Sequence, residues 1–383
     1  MRKPRRVIRN RIPTDIVEDA ALNRAISRLP ANYNFEIHKT VWRIREDKST
    51  TTAGAAGAAV ALQFPEGLLM YACTISDILE QFTGCQCTIL GDVTYGACCI
   101  DDLTAKALGC NLLVHYGHSC LVPIAVTAVT VLYVFVEIAI DTEHLAGCIR
   151  QTFTGETRLA VMGTIQFAGA VHEACAQVAD HFDEVAVPQA KPLSPGEVLG
   201  CTAPVIEGKD ALVFVADGRF HLESAMIHNP QMEHFRYNPY SKVLTREHYD
   251  TPKMHNIRKD AIERASGAKS FGVILGTLGR QGNPHILEHL TAALRRKGKR
   301  YFVLLLSEVF PAKLAAFADV DAWIQVACPR LSIDWGHFFD KPLLSPYEAD
   351  VALEETKWRE VYPMDFYAKG SGAWTNMHEK RVS

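Results

Sequence analysis

One pattern recurs three times along these 383 residues and sets the fold class. A short apolar strand enters a glycine turn, a helical segment follows, and further strands return. In the first copy a strand is expected over residues 60–64, then Pro65-Glu66-Gly67 and a helix reaching about Phe82. A strand over 87–90, a helix over 103–108 and a strand over 111–116 complete it. The second copy reads as strand 159–162, Gly163-Thr164, helix 170–182 and strands 184–187 and 211–216. The third reads as strand 271–275, Gly276-Thr277, helix 285–296, strand 301–306, helix 311–317 and strand 322–326. The first strands start at positions 60, 159 and 271, offsets of 99 and 112 residues, too long a period for a solenoid. The pattern predicts an α/β protein of three similar βαβ domains with parallel sheets. Such sheets bind ligands beyond the carboxyl ends of their strands, so a pseudo-threefold arrangement around a central site is expected. The expected boundaries are 60–150, 151–265 and 266–350, with a helical segment and flexible insert over 1–59 and a tail over 351–383.

Cys98, Cys201 and Cys328 lie 103 and 127 residues apart, each in a loop following a strand of its own copy. Cys98 and Cys201 follow the second strand and Cys328 the third, so the repeat is not strict. No local metal knuckle has this spacing. Three thiolates meeting at one cavity would hold three irons of a four-iron cluster and leave the fourth open to a substrate. For any single cysteine the alternative is a small buried hydrophobe. Cys99 competes with Cys98, but Gly96 and Ala97 give Cys98 room. A zinc set of Cys85, Cys87, Cys98 and Cys99 is a further alternative, although its spacing fits no usual knuckle.

Other residues are candidates for the pocket. The loop Gly276-Thr277-Leu278-Gly279-Arg280-Gln281-Gly282 joins a strand to a helix, where glycines admit a ligand and a helix start favours an anion. Arg330 lies two residues beyond Cys328 and could clamp a carboxylate with two parallel hydrogen bonds, the alternative being a surface ion pair. Tyr116-Gly117-His118-Ser119 and Asp217-Gly218-Arg219-Phe220-His221 end strands and are candidate lining. There is no convincing nucleophile–histidine–acid set or carboxylate pair, so no catalytic residue is expected beyond the cluster ligands.

Hydrophobic content of 48% and charge of 22% are those of a chain with large buried cores. A net charge of -3 gives no general argument for nucleic acid. Arg2, Lys3, Arg5, Arg6, Arg9 and Arg11 make a basic start, read as a solvated tail, with a contact to an acidic or RNA-bound partner as the alternative. Asp15 is expected to cap a helix beginning near Ile16, and residues 48–59 read as a low-complexity insert. Eleven cysteines in irregular spacing and no opening secretory signal suggest cytosolic thiols and metal ligands. Residues 118–136 carry no charge, but Pro123, Thr127, Thr130 and the β-branched run that follows favour a loop and a strand buried on both faces over a membrane span.

The string Gly91-Asp92-Val93-Thr94-Tyr95-Gly96-Ala97-Cys98-Cys99-Ile100-Asp101-Asp102 closely resembles the 2-(3-amino-3-carboxypropyl)histidine synthase family, in its eukaryotic diphthamide synthase subunit 1 branch. Val114-His115-Tyr116-Gly117-His118-Ser119-Cys120 and Leu62-Gln63-Phe64-Pro65-Glu66-Gly67-Leu68 accompany it. Leu199-Gly200-Cys201-Thr202 and Ala327-Cys328-Pro329-Arg330 match the family's other cysteine motifs, and the resemblance spans about residues 30–335. It implies a 4Fe-4S enzyme with Cys98, Cys201 and Cys328 as ligands. It also implies S-adenosylmethionine as co-substrate and radical transfer of a 3-amino-3-carboxypropyl group to C2 of a histidine in translation elongation factor 2. Gln281 and Arg330 are expected to hold the amino acid end of S-adenosylmethionine. The implied partners are a related second subunit in a heterodimer and a small metal-binding electron donor, in the cytoplasm, with no membrane and no direct nucleic acid contact. Two rivals are a quinolinate-synthase-like iron–sulfur dehydratase and a non-enzymatic scaffold subunit.

Overall fold

The computed structural model describes residues 12–46, 58–92 and 94–378. The chain divides into two compact units, one ending at Ile138 and the other beginning at Ala139. The basic start and nearly all of the low-complexity insert fall outside the described residues.

The first unit opens with short helices. Thr14–Val17 is a single turn that holds Asp15 rather than being capped by it. The cap is Asp19, whose carboxylate accepts from the N–H groups of Ala21 and Leu22 and starts helix Ala20–Ile26. The chain breaks at Glu18, so the helix needs a second start and a second acid. Helix Ile37–Glu46 follows. The strands are β1 Tyr33–Asn34, β2 Ala59–Gln63, β3 Gln86–Ile89, β4 Leu112–Tyr116, β5 Thr130–Val134 and β6 Glu137–Ile138. A parallel sheet runs β3-β2-β4-β5, and β6 pairs antiparallel with β1. Central β4 is buried along its whole length, as a strand covered by helices on both faces must be. Residues 118–136 form a loop, a 3-10 turn Ile124–Val126 and β5. β5 is an edge strand with Thr130 and Leu132 only half-buried, so burial on both faces holds for β4 and not for β5. Val136, at φ 56°, separates β5 from β6. No helix among the described residues is long and apolar enough to cross a membrane.

Leu62, Phe64, Ile75, Leu79, Val114 and Tyr116 centre this unit's core, with the Phe64 and Tyr116 rings stacked at 4.5 Å. Each such side chain contributes about 1.5–3 kcal/mol by leaving water. Leu62→Ala would therefore cost about 3 kcal/mol.

The second unit carries two sheets. Its strands are β7 Leu159–Gly163, β8 Val185–Ala186, β9 Ala211–Val215, β10 Glu233–Asn238, β11 Val243–Glu247, β12 Ser270–Gly276, β13 Arg300–Leu306, β14 Ala322–Val326 and β15 Leu343–Leu344. One sheet runs β11-β10-β9-β7-β8 and is parallel except for the β10–β11 hairpin. The other runs β13-β12-β14-β15 and is parallel throughout. The three-fold repetition of parallel α/β sheets matches the sequence pattern, and most strands fall within a residue or two of their expected places.

Parts of the chain after Arg330 pack into the second unit's interior. In helix Thr251–Ser266 the buried Arg258 makes a two-pronged pair with Glu348, at 2.6 and 2.7 Å, and donates to the Leu343 carbonyl. Tyr362 donates to the same Glu348. Such a pair adds little net stability but leaves a costly buried charge if one partner is lost, so it fixes where this segment docks. Trp374 is buried and donates to Asp365.

Candidate metal centre

In the first unit the Cys98 loop is pinned by one buried amide. Gln63 ends β2, and its Nε2 donates to the Cys99 carbonyl at 2.9 Å. Its Oε1 accepts from the Asp101 N–H at 3.2 Å and from His115 Nδ1 at 2.9 Å. Gln63 Oε1 is an acceptor, so His115 carries a proton on Nδ1. Burial, helped by neighbouring His118, pushes the His115 pKa down to about 3. The Cys99 N–H closes a turn onto the Gly96 carbonyl around Cys98. Cys99 is buried whereas Cys98 is half-buried. Asp101 then caps helix Asp102–Ala107 through the Thr104 N–H.

In the second unit Cys328 is held the same way. Gln325, buried in β14, donates from Nε2 to the Cys328 carbonyl at 2.9 Å and accepts the Ala327 N–H at 3.0 Å. Cys328 stands at the cap position of helix Pro329–Trp335. Cys201 sits instead in a tight turn, closed by hydrogen bonds in both directions between Leu199 and Thr202. The C-terminal segment braces that turn: Phe366 N–H donates to the Cys201 carbonyl and Tyr367 N–H to Thr202 Oγ1.

Arg330 joins the two cysteine elements. Its Nη1 donates to the carbonyls of Gly200, at 3.2 Å, and Phe220, at 2.9 Å. Its Nη2 reaches Glu223 at 2.5 Å, its Nε reaches Asp334 at 2.8 Å, and the guanidinium lies 4.3 Å over the Phe220 ring. Burial opposes charge on Arg330, but Asp334 and Glu223 outweigh it and its pKa rises above the ordinary value. The carboxylate-clamp expectation needed an open guanidinium fork. Two of the protein's own carboxylates and two carbonyls already use it, so Arg330 is a positioning residue, and its ion pairs are buried rather than on the surface. Gly200 permits this packing, since a Cβ there would lie 2.1 Å from the Phe220 ring.

The Cys201 thiol is pushed up to about 12, first by burial and then by the nearby Cys328 sulfur; the Thr202 hydroxyl and the Arg330 charge offset this in part. A thiol held protonated by burial and by a second sulfur beside it is donor chemistry that a soft cationic centre reverses, since metal coordination takes the thiolate. The pair fits an iron–sulfur group on that ground.

Gly276 brings the glycine loop against the Cys328 element, because a Cβ there would lie 2.6 Å from the Ala327 Cβ. Gln281 lies in this loop, with its N–H on the Leu278 carbonyl. Helix Pro284–Arg296 is capped by Asn283, which also donates to Asn376. Some of the anion-favouring helix start is therefore already used.

His221 is half-buried beside this site, and desolvation of its ring followed by the Arg330 charge pushes its pKa down to about 4. Tyr116 is buried in the first core, so it packs rather than lines an open pocket. The Cys85 and Cys87 sulfurs stand 3.6 Å apart. Among the described residues no group of three or more His, Cys, Asp or Glu side chains is gathered as a ready metal ligand set. Cys201 and Cys328 give two neighbouring thiols, and a third enters only with the proposal below.

Gln63, Gln325, Glu223 and Asp334 escaped the sequence reading. The two glutamines did leave a signal. Each is an amide inside an otherwise apolar strand, and a buried amide must find partners. Glu223 left none, being 107 residues from Arg330.

A family model for diphthamide synthesis proteins matches residues 64–363. A protein of Nematostella vectensis, named 2-(3-amino-3-carboxypropyl)histidine synthase subunit 1, is 56% identical over 97% of this chain and 77% of its own length. The Homo sapiens protein of the same name is 56% identical over 98% of this chain and 85% of its own. Among solved structures, Dph2 from Pyrococcus horikoshii with a 4Fe-4S cluster superposes with a TM-score of 0.69 at 26% identity, covering 88% of this chain and 94% of that one. The chain belongs to the diphthamide synthesis family, among the 2-(3-amino-3-carboxypropyl)histidine synthases of the subunit 1 kind.

Proposed function

We propose that this chain is a cluster-bearing subunit that moves the 3-amino-3-carboxypropyl group of S-adenosylmethionine to C2 of a histidine in translation elongation factor 2, the first step of diphthamide synthesis. It works in the cytoplasm with a related second subunit and a small metal-binding electron donor. The observation that carries the reading is the neighbouring pair Cys201 and Cys328, in a chain matched by a cluster-containing relative. Cys98, Cys201 and Cys328 are the proposed ligands of a 4Fe-4S cluster. When bound there, such a cluster would supply the electron needed to break the sulfonium's carbon–sulfur bond.

The chain's own residues supply placement. Gln63 and Gln325 fix the carbonyls beside Cys98 and Cys328. Arg330 holds the Cys201 turn to the Cys328 helix and sets a positive charge near a centre rich in thiolate. Gln281 and the glycine loop are proposed to orient the amino acid end of S-adenosylmethionine. Orientation decides which carbon–sulfur bond breaks, and a carbon radical suits imidazole C2, because a polar alkylation would take a ring nitrogen first.

The test is anaerobic turnover with S-adenosylmethionine, a reductant, the companion subunit and the elongation factor. The expected result is release of 5′-methylthioadenosine with matching mass gain on one histidine, lost in Cys98→Ala while the fold persists. A quinolinate-synthase-like dehydratase would release no 5′-methylthioadenosine, and a scaffold would lose folding rather than turnover.

A further inference from the structure

Two cysteines outside the proposed ligand set stand within reach of each other. Helix Ala72–Thr83 ends at Gly84, whose φ of 70° turns the chain into Cys85 and then β3. One residue separates Cys85 from Cys87, so extended chain puts both side chains on the same face. Their sulfurs lie 3.6 Å apart. The helix holds both backbones: Thr83 Oγ1 accepts from the Cys85 N–H at 3.2 Å, and Glu80 Oε1 from the Cys87 N–H at 2.8 Å. Cys85 is buried, whereas Cys87, on the edge strand of its sheet, is half-buried.

The pair also differs in its chemistry from other thiols of the chain. Cys110, Cys120, Cys148 and Cys175 are pushed up, first of all by burial. Cys85 moves the other way. A hydrogen bond from Cys87, joined by one from Thr83, outweighs burial and the Glu80 charge and brings Cys85 down to about 7. The same bond, with burial and the Glu80 charge, keeps the proton on Cys87 against a weaker pull from the Ser76 hydroxyl. A cysteine that only fills a core needs no second sulfur against it. A thiolate touching a thiol is the arrangement of a dithiol that oxidises reversibly, with one sulfur to attack the oxidant and the other to resolve the product.

We propose that Cys85 and Cys87 are a modification site, which a hydroperoxide closes to a disulfide and a thiol reductant reopens. The Cys85 sulfur attacks the peroxide and the O–O bond breaks. Cys85 becomes a sulfenic acid, and the departing alkoxide or hydroxide takes a proton from solvent. The Cys87 sulfur then attacks the Cys85 sulfur. The S–S bond forms, the S–O bond breaks, and the Cys87 proton leaves with the oxygen as water. Each sulfur gives up one electron, and the peroxide takes both. Two residues of extended chain span about 6.8 Å between Cα atoms, the upper limit for a disulfide. The closed form is therefore strained and readily reopened by a thiol. The site stands whether or not the cluster reading holds.

The test treats the full chain, reconstituted anaerobically with iron and sulfide, with one equivalent of hydrogen peroxide, blocks the remaining thiols and maps them by peptide mass. The expected result is a Cys85–Cys87 disulfide, seen as a peptide lighter by two hydrogen atoms. It should form before the exposed Cys73 and Cys120 are oxidised and open again with dithiothreitol. Cys87→Ser is expected to slow oxidation of Cys85 by about tenfold, with unchanged melting temperature and iron content. Cys85 and Cys87 left as thiols while Cys73 and Cys120 are consumed would overturn the site. So would oxidation of Cys85 past the sulfenic acid with no disulfide, or an unchanged Cys85 rate in Cys87→Ser.

Discussion

The Cys98 loop and the Cys201–Cys328 region reach comparable ends by different physical means. In the first unit the support is neutral: Gln63 and His115 share three hydrogen bonds without a formal charge. In the second, a neutral pin of the same kind, Gln325, is supplemented by a charged clamp, Arg330 with Glu223 and Asp334. The difference follows from what each must hold. Cys98 needs one loop fixed to its own strand, whereas Cys201 and Cys328 come from elements far apart in the chain, and a buried guanidinium with five donors can span them. A neutral network is sensitive to the loss of shape. An ionic one is sensitive to the loss of a single charge.

The largest effect is expected at the clamp. Arg330→Met leaves two carboxylates without their cation and should cost about 3 kcal/mol of stability, measured by urea unfolding. Adding Glu223→Gln and Asp334→Asn should recover most of it; no recovery would mean that Arg330 acts by packing on Phe220. Gln63→Leu should cost about 2 kcal/mol by leaving the Cys99 carbonyl and the Asp101 N–H unpaired, with faster exchange at the Asp101 amide. Gln325→Leu should cost about the same. A much smaller loss there would show that Arg330 alone fixes the Cys328 loop.

Acid gives a third contrast. His115 has a folded pKa of about 3, below its unfolded value near 6.5, so its contribution is present above pH 6.5 and is lost as pH falls toward 3. Wild type should lose stability faster than His115→Asn as pH falls from 6.5 to 5, by at most about 1.4 kcal/mol per pH unit. Parallel curves would mean that the imidazole is not held neutral. The smallest effect is Gly200→Ala, about 1 kcal/mol, because the Phe220 ring, 44% exposed, must shift under Arg330 to admit the Cβ.

The three strand–helix repeats and the cysteine-bearing loops were legible because parallel strands buried on both faces leave unbroken apolar runs, as in β9 and β14. The β10–β11 hairpin was not, since its strands are polar and its turn passes through Lys242 at φ 54° without a glycine. Arg330 was legible as important but not in its role. Its position two residues after Cys328 suggested a ligand, while all its partners but Asp334 lie more than 100 residues back in the sequence, where no local pattern announces them. In the last segment a returning tail was legible, but nothing local in residues 362–367 announced their hydrogen bonds to the Cys201 turn.

The most direct test is iron and sulfide content, with electron paramagnetic resonance, of the anaerobically reconstituted chain and its single cysteine variants. The expected result is about four irons in wild type and in Cys99→Ala, and a lost or altered signal in each of Cys98→Ala, Cys201→Ala and Cys328→Ala. A full, unaltered cluster in any of those three would contradict a centre held by these thiolates.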